Sequence, residues 1–258
     1  MQVSRKYCFF DYDGTLRSRK TDSVPPSALS AIDKLRAAGH FVALATGRLQ
    51  SDALEVLAPA RIDTMVADGG NSITIGGSLI SIEGLPLEPT RAFVRRIDAD
   101  GWTWAVNVEN ARTCLTRDER YASSLSHLYY APQIVPNLNI DVLDPIYKIF
   151  VPCPRERTDE LDFTGVTWAR YSDELVYIEP TDKARGIRKM MELLHASVKD
   201  VVVFGDGTND LSMFCPEWTS IAMGNAVPEL KTRADLVTSD VDDDGIFNAC
   251  VRLGLIAC

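Results

Sequence analysis

Positive charge is in short supply in this chain. Its 27 Lys and Arg face 36 Asp and Glu, a formal net charge of −9 over 258 residues, which argues against nucleic acid or an anionic membrane surface as a partner. Histidine is scarcer: His40, His127 and His195 stand far apart, without ligand-like spacing. The six cysteines (Cys8, Cys114, Cys153, Cys215, Cys250, Cys258) contain no CxxC pair, so they read as reduced structural thiols of a cytosolic protein and not as a metal site. No stretch approaches the ~20 apolar residues of a membrane-spanning helix. Only the four-residue apolar run at 7–10 precedes Asp11, too little for the core of a signal peptide. Internal repeats and low-complexity tracts are absent. What remains is an ordinary globular composition, 46% apolar and 24% charged, in a soluble, cytoplasmic protein long enough for a core domain and an insertion.

The strongest positive signal is Asp11-Tyr12-Asp13-Gly14-Thr15, directly after the apolar run Tyr7-Cys8-Phe9-Phe10. Residues i and i+2 of an extended chain point to the same side, about 6–7 Å apart, a gap that could hold a phosphoryl group or a metal ion. Two carboxylates at the end of a buried strand are costly to keep unless something binds them. By itself the string also reads as an Asx-rich turn, since Asp, Gly and Thr all suit turns.

Two further strand ends converge on the same place. Phe41-Val42-Ala43-Leu44-Ala45 ends in Thr46-Gly47-Arg48, and Val201-Val202-Val203-Phe204 ends in Gly205-Asp206-Gly207-Thr208-Asn209-Asp210. Ligands of open α/β sheets bind beyond the carboxyl ends of the strands. Thr46 and the Gly47 N–H suit phosphate at the start of a helix, although Thr46 alone also suits a plain N-cap. Lys183 opens a segment with Ile187, Met190, Met191 and Leu194 at i, i+3, i+4, i+7, a helical period whose methionines face a core.

The alternation of strands and helices predicts an α/β, doubly wound parallel sheet. Val24-Pro25-Pro26-Ser27 introduces a helix carrying Leu29, Ile32 and Leu35 on one face, stopped at Gly39. A second helix carries Leu49, Ala53 and Val56-Leu57, and 63–67 reads as a short strand. Residues 72–75 and 78–82 flank Gly76-Gly77, a two-residue hairpin turn. The pattern changes near Gly84-Leu85-Pro86. From there the reading is an inserted, smaller α/β domain over 85–175, with a helix at 89–99, strands at 102–108 and 146–151, and a loop-rich connection over 132–145. The core takes 1–84 and 176–258, re-entered at Val176-Tyr177-Ile178 and completed by strands at 221–223 and 236–238. His127, Tyr129-Tyr130, Trp102, Trp104 and Trp168 fall in the insertion and read as packing residues. Asp240 to Gly245 matches the first half of a calcium-binding loop, but Val251 stands where a bidentate Glu is needed, so it reads as an acidic helix start.

The four ordered motifs, DYDGT, Thr46, Lys183 and GDGTND, with the tail Ala222-Met223-Gly224-Asn225-Ala226, Ala234-Asp235 and Asp244-Gly245, carry a family resemblance. The sequence resembles the haloacid dehalogenase-like phosphatases, and most the Cof-type branch with a large α/β cap between its second and third motifs. It departs from that branch at Asp68-Gly69-Gly70, where Asn-Gly-Ala is usual, and at Lys183-Ala184, where Lys-Gly is usual and Gly falls at 186.

The resemblance implies a Rossmann-like core with a specificity cap, and a Mg²⁺-dependent phosphatase for a small phosphorylated metabolite. It makes Asp11 the nucleophile and Asp13 the general acid/base. Mg²⁺ would be held by the Asp11 carboxylate, the Asp13 backbone carbonyl and Asp206. Thr46, Gly47 and Asn209 would contact phosphate, Lys183 would neutralise charge, and Asp210 would sit behind the metal or Lys183. Arg48 reads as structural or cap-facing. A sugar phosphate is the first guess for substrate by family analogy. A phosphomutase or phosphotransferase would use the same residues with a hydroxyl acceptor, and a binding protein could keep the fold without turnover. A dehalogenase would not need Asp13, Asp206 and Mg²⁺ together. Oligomeric state is not legible.

Overall fold

The computed structural model describes residues 4–124, 130–170 and 172–257; His127, Tyr129 and Cys258 lie outside them. Its contacts divide the chain into two compact units. The first holds Met1–Arg48, Ala53–Ser81 and Asp182–Cys258, and the second Leu49–Asp52 and Ile82–Thr181.

In chain order the elements begin with β1 (Tyr7–Phe10), α1 (Pro26–Ala37), β2 (Phe41–Ala45), α2 (Gln50–Leu57), β3 (Met65–Ala67), β4 (Ser72–Ile75) and β5 (Ser78–Ile82). The second unit adds α3 (Leu87–Ala99), β6 (Ala105–Asn107), β7 (Thr113–Thr116), α4 (Glu119–Ser124), β8 (Ala131–Ile134), β9 (Lys148–Pro152), β10 (Trp168–Arg170) and β11 (Leu175–Ile178). The chain closes with α5 (Lys183–Leu193), β12 (Val201–Gly205), β13 (Thr219–Ala222), α6 (Pro228–Arg233), β14 (Leu236–Val237) and α7 (Gly245–Arg252).

The first unit is built on an eight-stranded sheet in the order β14-β13-β12-β1-β2-β3-β4-β5. The six strands from β14 to β3 run parallel, and β4 turns antiparallel against β3. This is the expected α/β architecture. Continuous apolar strands such as Cys8-Phe9-Phe10 and Val201 to Phe204 are buried throughout, as a sheet covered on both faces requires. Gly76 and Gly77 both hold positive φ, the left-handed pair a tight hairpin turn needs, so the sequence placed β4 and β5 correctly.

The second unit carries a separate six-stranded sheet, β10-β11-β9-β6-β7-β8. Its core holds Phe93, Val94, Ile97, Val106, Ile149 and Val151, with Tyr121, Tyr130 and Phe150 in an aromatic cluster beside them. Of the three tryptophans of this unit, Trp104 is buried and Trp102 lies under Arg157, whereas Trp168 stacks on Phe163 at 4.4 Å but stays exposed on the edge strand β10 and is not a core residue.

Two readings need correction. Residues 176–178 do not re-enter the first unit: β11 pairs antiparallel with β9 and β10 in the six-stranded sheet, and the first unit resumes at Asp182. The segment read as a loop over 132–145 starts with β8, which tolerates Pro132 because it is an edge strand paired on one side, with β7. The turn at Asp68-Gly69-Gly70 is buried against the start of α5. A Cβ on Gly186 would stand 2.4 Å from Val66 Cγ1 and 2.8 Å from the Gly70 carbonyl oxygen. The glycine at 186 is therefore the close-packing residue of α5, and Ala184 is accommodated two residues earlier, buried in the same first turn.

Among the described residues no helix is long and apolar enough to cross a membrane, and the five described cysteines are free. Gly186→Ala sets helix propensity, which favours Ala by about 1 kcal/mol, against overpacking, which costs about 1–3 kcal/mol. The contact distances favour the second, so equilibrium denaturation should show a loss of stability. A gain would mean that α5 does not sit this close to Gly70.

Candidate active site

Register builds the site. Phe10 of β1 pairs with Phe204 of β12 on one side and Leu44 of β2 on the other, and the Phe10 and Phe204 rings stack at 4.5 Å. The next residues of these strands are Asp11, Gly205 and Ala45, so Asp11, Asp206 and Thr46 leave the sheet at one edge. The Asp11 N–H still donates to the Phe204 carbonyl at 2.9 Å, which fixes the carboxylate at the strand end.

Lys183 reaches this edge from the first turn of α5. Asp182 caps that helix by accepting from the Arg185 N–H at 3.0 Å, and the Lys183 N–H donates to Ser212 Oγ at 3.1 Å. The Lys183 ammonium donates to Asp11 Oδ1 at 2.7 Å and to Asp210 Oδ1 at 2.6 Å, and all three side chains are buried. Asp210 Oδ2 accepts from the Asp206 and Gly207 N–H groups at 2.9 Å each, so both oxygens of Asp210 are committed. Asp206 accepts from Thr15 Oγ1 at 3.1 Å. Gly14 lies against it with φ +102, and a Cβ there would stand 2.3 Å from Asp206 Oδ2. The glycine is required both by backbone conformation and by space.

The acidic residues respond to this crowding. Burial raises the Asp11 carboxyl well above its ordinary value; Asp210 and Asp206 push the same way while Lys183 opposes them. Asp206 is pushed up to about 6, first by burial and then by Asp210. Burial would lower Lys183, but Asp11 and Asp210 hold it well above its ordinary value. Three buried carboxylates against one ammonium leave two negative charges, the amount a divalent cation neutralises. Oxygens of Asp11, Asp206 and Asp210 lie within 4.8 Å of one another. All the donors are hard oxygens, which suits Mg²⁺. The residues present therefore fit a divalent metal: Asp11 has its Oδ2 to give, and Asp206, which accepts from Thr15 on Oδ1, carries on Oδ2 a long 3.3 Å contact from Arg19 that a metal would displace.

Asp13 is bound differently from expectation. Arg17 donates to its Oδ1 from Nε at 2.8 Å and from Nη2 at 2.6 Å. Arg48 donates to Oδ2 at 2.8 Å and Oδ1 at 2.9 Å. Both guanidiniums also lie near the Tyr12 ring. Burial acts to raise the Asp13 carboxyl, but the hydrogen bonds and charge of Arg48 and then Arg17 outweigh it and hold the group below its ordinary value. Asp13 in this arrangement is an ionised carboxylate.

The other expected residues stand as follows. Thr46 is buried, and its Oγ1 accepts from the Arg48 N–H at 3.2 Å. Because α2 begins only at Gln50, Thr46 and Gly47 form a turn ahead of that helix, not its first residues. Asn209 is half-buried on the turn after Gly207 and makes no hydrogen bond to Lys183 among the described residues. The acidic segment at 240–245 is a helix start: Asp240 caps a short 3₁₀ turn before α7.

Sequence reasoning missed Arg17, Arg19, Thr15 and Ser212, and took Asn225 only as part of the tail. Asn225 Nδ2 donates to the Gly14 carbonyl at 2.7 Å, and its Oδ1 accepts from the Val241 N–H at 3.0 Å. The signal for the arginines was the run Arg17-Ser18-Arg19-Lys20 directly after the two carboxylates, in a chain otherwise short of positive charge.

Comparison with known proteins places the chain in a family. A family model described as haloacid dehalogenase-like hydrolase matches residues 8–250. The chain is 29% identical over 265 residues to the "putative phosphatase YkrA" of Bacillus subtilis (strain 168), covering 98% of this chain and 100% of that one. A hypothetical protein from Geobacillus kaustophilus HTA426 superposes with a TM-score of 0.81 at 30% identity, over 98% of this chain and 100% of that one. The phosphatase BT1666 from Bacteroides thetaiotaomicron shares the fold, with a TM-score of 0.82 at 24% identity over 98% of this chain and 96% of that one.

Between its ordinary 3.8 and about 6, Asp206 binds more protons in the folded protein than in the unfolded chain. Its contribution to stability therefore falls as pH rises through that window and is level above it. In EDTA, the melting temperature of the wild type should fall more steeply from about pH 4 to about pH 6 than that of Asp206→Asn, and Mg²⁺ should flatten the wild-type curve. Identical slopes would show that Asp206 is not held in this crowded environment.

Proposed function

The chain belongs to the haloacid dehalogenase-like hydrolases and is a phosphoric monoester hydrolase; we propose that it cleaves a small phosphorylated metabolite in two steps through an aspartyl-phosphate on Asp11. The observation that carries this reading is the buried Lys183 ammonium shared by Asp11 and Asp210. Its charge opposes the rise that burial imposes on Asp11 and so favours the ionised carboxylate that must attack phosphorus.

In the first step an Asp11 oxygen attacks phosphorus, the bond from phosphorus to the ester oxygen breaks, and the leaving oxygen takes a proton from Asp13. In the second, Asp13 accepts a proton from water as that water attacks phosphorus, the bond to Asp11 breaks, and phosphate leaves. Mg²⁺ held by Asp11, Asp206 and the Asp13 carbonyl would neutralise charge on the transferring group. Lys183 would do the same from the other side, while Thr46, Gly47 and Asn209 would donate to the phosphate. The pairing of Asp13 with Arg17 and Arg48 suits the second step, which needs a base. For the first step Asp13 must separate from the guanidiniums to carry a proton.

We assign choice of leaving group to the inserted unit. We favour a sugar phosphate, the substrate class named for a fold neighbour described as a sugar phosphatase of HAD subclass IIB, with a TM-score of 0.77.

Phosphate release from a panel of phosphorylated metabolites, with Mg²⁺ and no added acceptor, tests the activity. Asp11→Asn should lose at least about 10³-fold in kcat with its fold intact, and acid-quenched wild type should carry a phosphoryl group on the Asp11 peptide. Retained turnover in the variant removes Asp11 as the nucleophile. EDTA should silence the wild type and Mg²⁺ restore it; full activity in EDTA defeats the metal assignment.

A further inference from the structure

Arg19 stands apart from the other basic residues of the site. Its side chain keeps 65% of its surface in solvent, yet its head points inward. Nε and Nη2 both donate to the Asp13 backbone carbonyl, the former at 3.2 Å. Nη2 also donates to Asp206 Oδ2 at 3.3 Å. One guanidinium thus bridges two of the three oxygen donors assigned above to Mg²⁺. The fit is close: a Cβ on Gly14 would come within 2.8 Å of Arg19 Nε as well as against Asp206, so Gly14 leaves the space through which the guanidinium reaches both oxygens.

Arg17 offers a contrast. Its guanidinium is tied to Asp13 and to Asp22, and its side chain is only 23% exposed. Arg17 is anchored, whereas Arg19 can swing into water and have its donors solvated at once. Charge points the same way. The buried carboxylates exceed Lys183 by two charges, and Arg19 supplies one of the two from the surface. A guanidinium and a divalent cation cannot share the same lone pairs, and their like charges repel at that range.

We propose that Arg19 is a built-in, displaceable counter-cation that competes with the divalent metal for the Asp13 carbonyl and Asp206 Oδ2. This rests on the metal assignment of the proposed function. Arg19 steadies the carboxylates while no metal is bound and weakens apparent metal affinity by the fraction of time it spends in place. A guanidinium seated roughly nine-tenths of the time would weaken that affinity about tenfold.

Calorimetric titration of Mg²⁺ into metal-stripped wild type, Arg19→Gln and Asp206→Asn tests this without reference to turnover. Melting temperatures of the stripped proteins are read alongside. The expected result is binding to the wild type, about tenfold tighter binding to Arg19→Gln, and severely weakened binding to Asp206→Asn. Stripped Arg19→Gln should melt below stripped wild type and gain more from Mg²⁺. Affinity in Arg19→Gln equal to or weaker than wild type, with Asp206→Asn still impaired, overturns the role of Arg19 and leaves the metal assignment standing. Undetectable binding to wild type, or binding indifferent to Asp206→Asn, overturns the metal assignment and this inference with it.

Discussion

One ammonium group organises the catalytic end of the sheet. Lys183 lies buried between Asp11 and Asp210, and none of the three could stay charged at such depth without the others. The Lys183 head ties α5 to the ends of β1 and β12. Asp210 in turn uses its second oxygen to hold the Asp206 and Gly207 amides, which sets the turn that presents Asp206. The close approach of α5, made possible by Gly186 against Gly70, is what lets a lysine at the helix start reach the strand ends.

That arrangement is deliberately short of positive charge. A single lysine among three carboxylates leaves the cluster anionic, and burial raises both Asp11 and Asp206. The imbalance suits the cluster to a hard divalent cation, and it accompanies the fold of the exposed Arg19 back over Asp206 and the Asp13 carbonyl. The excess of acidic residues across the chain makes the local supply at Arg17, Arg19, Arg48 and Lys183 more consequential for an anionic phosphate.

In the proposed two-step reaction Asp13 faces two demands. A base must be ionised and an acid must carry a proton, and the grip of Arg17 and Arg48 enforces the first state. Under that proposal, proton donation requires the grip to loosen, which would give the arginines a part in the reaction without touching the reacting bond.

Much of the fold was legible because its signals are local. The apolar runs before Asp11, Thr46 and Asp206 announce buried parallel strands, and Gly76-Gly77 announces its hairpin through a conformation that glycine adopts readily. The second unit was harder to read. Strands such as β7 and β10 are short and partly polar, and β8 contains a proline that only an edge position tolerates. The sequence by itself determined the architecture of the core and pointed to Asp11, Asp13 and Asp206, since strand ends are written along the chain, while Lys183 and Asp210 joined them through the family resemblance. Only the tertiary structure decided that Arg17 and Arg48 clamp Asp13, that Arg19 bridges Asp13 and Asp206, and that Gly186 seats α5. The contacts of Arg48 with Asp13, of Arg19 with Asp206 and of Gly186 with Gly70 join residues on separate loops and elements, and even the short-range grip of Arg17 on Asp13 depends on how the loop is folded, which no local pattern encodes.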